Sequence, residues 1–232
     1  MAVEAELKLA LPAAQRERAK QVLEKVAGAS GHAVRLSNVY FDTPSLDLKR
    51  ARSALRIRLA GDRWLQTFKS GGGAQGGLHR RHEWEMPVDS DALDTDALIR
   101  TIEQDLAVVP ATSASNDEAA ERDALLAALQ ILRNAVPDLG PLFRTDFTRT
   151  IWNVEDGGDR IEIGFDEGDV IVGERDQRRT MPILEIELEL KQGDEAALHR
   201  VAARLAEQIS GLKSDDVSKA ERGYKLRDAA GA

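Results

Sequence analysis

The chain has no cysteine among its 232 residues. That absence excludes a disulfide framework, a thiol nucleophile, and any zinc or iron–sulfur site ligated by cysteine. No apolar run approaches the ~18 residues that a membrane span needs. The opening residues, MAVEAELK, carry charge where a signal peptide needs an apolar core. A soluble cytoplasmic protein without membrane association is the expectation. An excess of positive charge is lacking too. The 32 Lys and Arg against 40 Asp and Glu leave −8 at pH 7, which argues against broad binding to duplex nucleic acid. What is present is apolar material for a sizeable core, 42% of the residues. The 31% that are charged alternate with aliphatic residues, which argues against disorder.

That alternation is the most informative pattern. Val3, Ala5, Leu7 and Leu9 are spaced by Glu4, Glu6 and Lys8, and Leu55, Ile57 and Leu59 by Arg56 and Arg58. Ile161, Ile163 and Phe165 face Arg160, Glu162 and Asp166 across the same period, as do Leu184, Ile186, Leu188 and Leu190 against Glu185, Glu187, Glu189 and Lys191. Successive strand side chains point to opposite faces, so each segment predicts a strand with one apolar and one charged face. Further strands are expected at 35–41, 64–69, 79–88, 143–152 and 169–174, with turns at Gly61-Asp62, Gly157-Gly158 and Glu167-Gly168. The glycine-rich stretch Ser70 to Gly77 reads as a mobile loop. Strands that follow one another directly favour an antiparallel meander.

Period 3.6 marks four helices. One starts near Pro12 and carries the stripe Ala19, Val22, Leu23 and Val26. A second spans Asp91 to Asp105, and a third runs from an N-cap at Asn116 through Leu125, Leu129, Leu132 and Val136. The fourth runs from about Asp194 to Ile209. The interval 107–116 reads as a loop. These helices can cover the apolar strand faces, which leaves the charged faces to meet water outside the protein or inside a barrel.

Carboxylates two apart on a strand sit roughly 7 Å from each other and repel. Arg56, Arg58, Lys69, Arg81, Arg144 or a divalent metal would compensate. Clustered carboxylates are hard oxygen ligands suited to Mg²⁺ or Mn²⁺, and grouped Arg and Lys suit phosphate oxygens. Any one of these strands taken singly reads as a solvated face. His79 and His82 share no metal-binding spacing with His32 or His199 and read as surface or tunnel-mouth residues. In Gly71–Gly77 the lysine precedes the glycines, so a flexible hairpin is a better reading than a phosphate-binding P-loop.

Taken in order, the fragments resemble the CYTH superfamily, the triphosphate tunnel metalloenzymes. They are Glu4-x-Glu6-x-Lys8, Asn38-Val39-Tyr40-Phe41-Asp42-Thr43-Pro44, Ala54-Leu55-Arg56-Ile57-Arg58, Gln66-Thr67-Phe68-Lys69 and Arg81-x-Glu83. Later come Phe143-Arg144-Thr145-Asp146, Phe165-Asp166-x-Gly168, Glu185-Ile186-Glu187-Leu188-Glu189 and Ser218-Lys219-Ala220-Glu221-Arg222-Gly223-Tyr224. The likeness is greatest to bacterial inorganic triphosphatases. It implies an α+β fold, an eight-stranded antiparallel barrel with a charged interior flanked by helices. The tunnel domain would cover residues 1–228, with a helical insertion around 90–140 and a tail at 229–232.

The resemblance further implies Glu4, Glu6, Glu185 and Glu187 as metal ligands. Lys8, Arg56, Arg58, Lys69, Arg81, Arg144 and Lys219 would grip the phosphate chain. Glu83, Asp166 and Glu189 are additional tunnel acids, although relatives often carry only the first two carboxylates of the Glu189 strand. The expected reaction is hydrolysis of tripolyphosphate to pyrophosphate and phosphate with two Mg²⁺ or Mn²⁺ ions. Lys8, Lys69, Lys219 and Glu187 would be the catalytic residues, with Lys8 or Lys219 stabilising the leaving phosphate. Class IV adenylyl cyclase, thiamine or RNA triphosphatase, and a non-catalytic polyphosphate-binding module are the rival expectations. A helical CHAD domain often follows such a domain in related bacterial proteins, so a longer parent chain is allowed.

Overall fold

In the computed structural model, which describes residues 2–109 and 116–230, the alternating segments become long strands. They are β1 (Ala2–Ala10), β2 (His32–Asp42), β3 (Ala54–Ala60), β4 (Arg63–Gln75), β5 (Leu78–Val88), β6 (Gly140–Asp156), β7 (Asp159–Val172) and β8 (Arg179–Gln192). Their hydrogen-bonded order is β5-β4-β3-β2-β6-β7-β8-β1, and β5 also pairs with β1, so the strands close into an eight-stranded antiparallel barrel. A two-residue strand, β9 (Lys213–Ser214), adds to β1. The helices are α1 (Arg16–Ala27), α2 (Asp47–Arg50), α3 (Thr95–Val108), α4 (Asn116–Ala135), α5 (Ala196–Ala206) and α6 (Lys219–Ala230).

Contacts divide the chain into two units. One comprises residues 2–3, 38–72, 81–109 and 116–143. Its core joins Leu55, Phe68 and Trp84 of β3, β4 and β5 to Leu98 and Ile102 of α3 and Leu125, Leu129 and Leu132 of α4. The Phe68 and Trp84 rings stack at 5.8 Å, and the Trp84 indole N–H donates to Asp105 Oδ2 at 2.8 Å. α3 starts four residues later than expected because Asp94 caps it, accepting from the Ala97 N–H at 2.8 Å. Buried Gln66 fixes this cap from β4. Its amide donates to the Asp94 carbonyl at 2.8 Å and accepts from the Asp94 N–H at 2.9 Å. Asp42 is likewise structural, accepting from the N–H groups of Thr43, Leu48 and Lys49 at 2.7, 2.8 and 3.0 Å to build the turn into α2. Most of the expected 107–116 loop, and the side chain of Asn116, lie outside the described residues.

The second unit comprises residues 4–37, 73–80 and 144–230. Here Leu7 and Leu9 of β1, Ile163 and Phe165 of β7, and Ile186 and Leu188 of β8 join one core. Ala19, Val22 and Leu23 of α1 and Leu198, Val201 and Leu205 of α5 pack against them. Each large aliphatic buried this way stabilises the fold by about 1.5–3 kcal/mol.

Two expectations are corrected. Glu167-Gly168 is no turn, because β7 runs unbroken from Asp159 to Val172. Gly168 is needed there for close approach: a Cβ would lie 2.2 Å from the Asp146 carbonyl and 2.5 Å from Phe147 Cα, on the facing strand β6. Gly168→Ala is therefore expected to cost at least about 2 kcal/mol, read as a lowered urea midpoint. Nor is Ser70–Gly77 a mobile loop. β4 continues through Gln75, and Ser70 is buried against the Ser53 hydroxyl at 3.0 Å. Gly77 is pinned in the hairpin turn: its N–H donates to Asp216 Oδ1 at 2.6 Å and its carbonyl accepts from the Lys8 N–H at 2.9 Å. Its φ of +85° and a would-be Cβ 2.7 Å from the Lys8 carbonyl leave room for glycine alone.

Candidate functional site

Register brings the acids of distant segments together. β1 pairs with β8 so that Lys8 lies opposite Glu187 and Glu6 opposite Glu189. β8 pairs with β7 so that Glu185 lies opposite Asp166 and Glu187 opposite Gly164. The aliphatic residues of these strands fill the core on one face, so the charged residues occupy the other, and they too are shielded from water. Asp166 and Glu185 are fully buried, Lys8 is 2% exposed, and Glu6 and Glu187 are 7% exposed. Carboxylate oxygens of Asp166, Glu185 and Glu187 lie within 4.8 Å of one another.

Four cations hold this acidic group together. Lys219, in the first turn of α6, places Nζ 2.6 Å from Asp166 Oδ2, 2.5 Å from Glu185 Oε1 and 2.7 Å from Glu187 Oε1. Lys8 Nζ is 3.1 Å from Glu187, 3.5 Å from Glu185 and 4.0 Å from Glu6. Arg149 of β6 forks onto Asp166 at 2.7 and 2.6 Å and also reaches Glu187. Gly164 permits this, since a Cβ there would press on the Arg149 side chain, 3.1 Å from Nε and 3.2 Å from Cζ. Arg222, one turn along α6, pairs with Glu185 at 2.8 Å and Asp215 at 2.6 Å.

The electrostatics follow from enclosure. Burial works against the ionised forms of Asp166 and Glu187, but the neighbouring cations outweigh it. Arg149 and Lys219 hold Asp166 below the usual carboxylate range. Lys219, Arg149 and Lys8 hold Glu187 well below it. Burial likewise disfavours the ammonium groups, yet Glu185 and Glu187 raise the Lys8 pKa, and Asp166, Glu185 and Glu187 raise that of Lys219. Asp166, Glu187, Lys8 and Lys219 are thus ionised at neutral pH.

A second charged group lies within the other unit. Lys69 Nζ is 3.1 Å from Glu83. Arg56 donates from Nε to Thr67 Oγ1 at 3.3 Å and lies 4.0 Å from Glu83 and 3.9 Å from Glu85. Arg58 donates to Asn38 Oδ1 at 2.7 Å. Burial penalises the Arg56 guanidinium, but Tyr40, Glu83 and Glu85 outweigh it and raise its pKa further. Glu85 is held below the carboxylate range by Arg56 and Arg58, against the cost of burial. Arg81 carries a buried Nε with no hydrogen-bond partner.

Among the expected site residues, Arg144 and Glu189 pair away from Asp166, Glu185 and Glu187. Arg144 is 44% exposed and pairs with Asp146 at 3.2 Å. Glu189 pairs with Lys191 at 2.6 Å. Burial, with Glu4 and Glu162 nearby, raises the Glu189 pKa against the pull of Lys191. His79, expected at the surface or the tunnel mouth, is not a surface residue: it is 4% exposed, with Nε2 3.3 Å from the Asp215 carbonyl.

Residues 2–224 match the CYTH domain model. The chain belongs to the CYTH family. An inorganic triphosphatase of Haemophilus influenzae is 31% identical over 226 residues, 97% of this CYTH chain but 55% of that relative. The chain thus spans about half the length of the curated relative it matches. A Hippeastrum protein, an adenylyl cyclase candidate whose structure report describes a dominant triphosphatase activity, superposes with a TM-score of 0.57 at 20% identity, over 96% of this chain and 95% of that one. The PH1819 protein of Pyrococcus horikoshii does so at 0.56 and 16% identity, over 97% and 99%. These two likenesses establish the fold.

The CYTH triad fits a hard divalent cation. Asp166, Glu185 and Glu187 offer three closely spaced carboxylate oxygens with no soft or nitrogen donor among them. Glu185 Oε2 is buried without a hydrogen-bond partner, and Arg222 beside it is aligned as an ion pair only.

Arg149, Arg222, Asp215 and Glu85 are site residues that sequence reasoning missed. Asp215 takes part through its backbone and its side chain. Its N–H donates to the Lys8 carbonyl at 3.0 Å, and its carboxylate accepts from Arg222 at 2.6 Å and from the Val217 N–H at 3.0 Å. A usable signal existed for Arg222 alone, immediately before Gly-Tyr-Lys at 223–225 in the C-terminal fragment.

Proposed function

We propose that this CYTH chain is a metal-dependent inorganic triphosphatase that hydrolyses tripolyphosphate to pyrophosphate and phosphate. The observation that carries this reading is a buried Asp166–Glu185–Glu187 triad threaded by Lys8 and Lys219. Such a site has negative oxygens to hold a divalent cation and positive nitrogens to receive phosphate. Glu185, Glu187 and Asp166 would hold the ions, Mg²⁺ or Mn²⁺, with Glu6 completing the negative field. When bound, such ions neutralise phosphate oxygens and lower the pKa of water at the site.

Phosphoryl transfer asks little covalent chemistry of a protein, so positioning and charge supply most of the rate. Arg56, Arg58, Lys69 and Arg81 would orient the phosphate chain through forked or point-charge contacts. Lys8 and Lys219 remain charged at neutral pH and would stabilise the leaving pyrophosphate by charge rather than by giving up a proton. No phosphoenzyme is required, since water is the acceptor of the phosphoryl group.

A substrate panel tests this: tripolyphosphate, pyrophosphate, longer polyphosphate, ATP and thiamine triphosphate, each with Mg²⁺, Mn²⁺ or excess chelator. Orthophosphate and pyrophosphate should appear in equal amounts from tripolyphosphate, and only with metal. Cyclic nucleotide from ATP as the main product, or undiminished turnover in chelator, would overturn the proposal.

A further inference from the structure

The Lys219 ammonium touches all three carboxylates of the triad at 2.5 to 2.7 Å. It is 6% exposed, so it fills the position where a cation shared by these oxygens would sit. Charge points the same way. The acids Glu6, Asp166, Glu185, Glu187 and Asp215 are met by Lys8, Arg149, Lys219 and Arg222. That group is one charge short of neutral, and a divalent ion added to it intact would leave an excess of positive charge in a buried space, which is unfavourable.

The four cations differ in how firmly they are held. Arg149 is fixed by a two-bond fork on Asp166. Arg222 is held between Glu185 and Asp215. Lys8 belongs to a strand whose N–H and carbonyl are bonded to Gly77 and Asp215. Lys219 is a point charge on a flexible four-carbon stem at the start of α6, and its Nζ already lies 5.0 Å from the centre of the Phe147 ring. That ring face gives a displaced ammonium a second favourable contact.

Resting on the reading of the triad as the metal site, we propose that Lys219 is an internal counter-ion that competes with the divalent cation. Lys219 and metal occupy the Asp166–Glu185–Glu187 triad in turn, and metal entry expels the ammonium toward the phosphate chain. Metal loading and phosphate binding are thereby coupled: the free protein keeps its buried acids neutralised without metal, and anionic substrate receives the lysine when metal arrives. By linkage, whatever draws Lys219 out of the triad raises metal affinity by the same factor that metal raises its own.

Mn²⁺ binding followed by electron paramagnetic resonance, without substrate, tests this in the full chain. Lys219→Met should bind Mn²⁺ about tenfold or more tightly than the wild type, within the usual range of such couplings. Glu187→Gln should lose binding in both backgrounds. Removing the ammonium exposes the triad to its own repulsion, so Lys219→Met is also melted with and without Mn²⁺. The metal-induced rise in its midpoint should exceed that of the wild type, even if the variant folds only with metal. In the wild type, acylation of Lys219 read by mass spectrometry should quicken on adding Mg²⁺ relative to chelator. Unchanged or weaker Mn²⁺ affinity in Lys219→Met, or Lys219 equally protected with and without Mg²⁺, would overturn the competition while loss of binding in Glu187→Gln still upheld the metal site. Full Mn²⁺ binding by Glu187→Gln would overturn the metal site itself, and the competition with it.

Discussion

Glu187→Gln should lower metal-dependent tripolyphosphate turnover by at least about 10²-fold, the usual cost of deleting one preorganised charge at a reacting centre. Gln has nearly the shape of Glu and keeps one carbonyl oxygen, so packing beside Lys8 and Lys219 is preserved while the anionic ligand is lost. Saturating metal should not restore the rate, because the missing charge belongs to the site. Some stability is lost as well. Lys219, Arg149 and Lys8 hold the ionised carboxylate well below its ordinary pKa against the cost of burial, and the neutral amide cannot draw on that attraction. Circular dichroism at the assay temperature separates the two effects: a folded, inactive variant is the expected result. Wild-type turnover by folded Glu187→Gln would remove Glu187 from the machinery.

Why Glu187 was legible in advance, and Arg149 was not, follows from the physics of strands. On β8 the alternation is clean, with Ile186 and Leu188 in the core and Glu185 and Glu187 on the other face. A period-two pattern then gives the strand, its faces and the charged residues at once. On β6 the buried positions are odd through Phe147 and even from Trp152. Arg149 sits where that phase changes, so no face could be assigned to it. Its role is set by a cross-strand partner, Asp166, seventeen residues away, and by the absent side chain of Gly164. Both are matters of register, which a single strand's pattern does not contain.

The same reasoning explains α6. Helices are recognised by an apolar stripe, and Lys219-Ala-Glu-Arg-Gly-Tyr-Lys has only Ala220 and Tyr224 to offer. α6 contributes charges to the buried site, Lys219 and Arg222, so its inward residues look like surface ones. The quoted C-terminal fragment located Lys219 by resemblance without showing that a helix presents it. α2 has four residues, too few for any periodicity. Conversely, Asp42 and Gln66 lie in recognisable fragments yet cap backbone groups, so a family signature mixes scaffold with chemistry. Gly168 taken as a turn residue splits the 160–174 segment into two strands. Its neighbours are extended, and the glycine answers to the closeness of β6.

Arg149→Met should cost about 3–5 kcal/mol, the range for breaking a buried ion pair from one side. Met retains the volume and the stem but removes two hydrogen bonds from the fully buried Asp166 carboxylate and leaves it Lys219 alone as a cation. The pH dependence tells this apart from lost packing. In the wild type, burial opposes ionised Asp166 and Glu187, and Arg149 together with Lys219 reverses that, so both carboxyls titrate below their ordinary values of 3.8 and 4.5. A carboxyl whose folded pKa is depressed adds stability above its unfolded pKa and loses it as pH falls through the folded one. Wild-type stability should therefore hold down to about pH 4.5 and fall steeply below it. Without Arg149 the folded pKa values rise, and the variant carries less of that acid-side slope. The gap between the two proteins should be widest near neutrality and shrink as pH drops below 4.5, measured as urea midpoints from pH 7 to pH 3. A gap constant across that range would assign the loss to packing and leave Arg149 no electrostatic part in holding the triad.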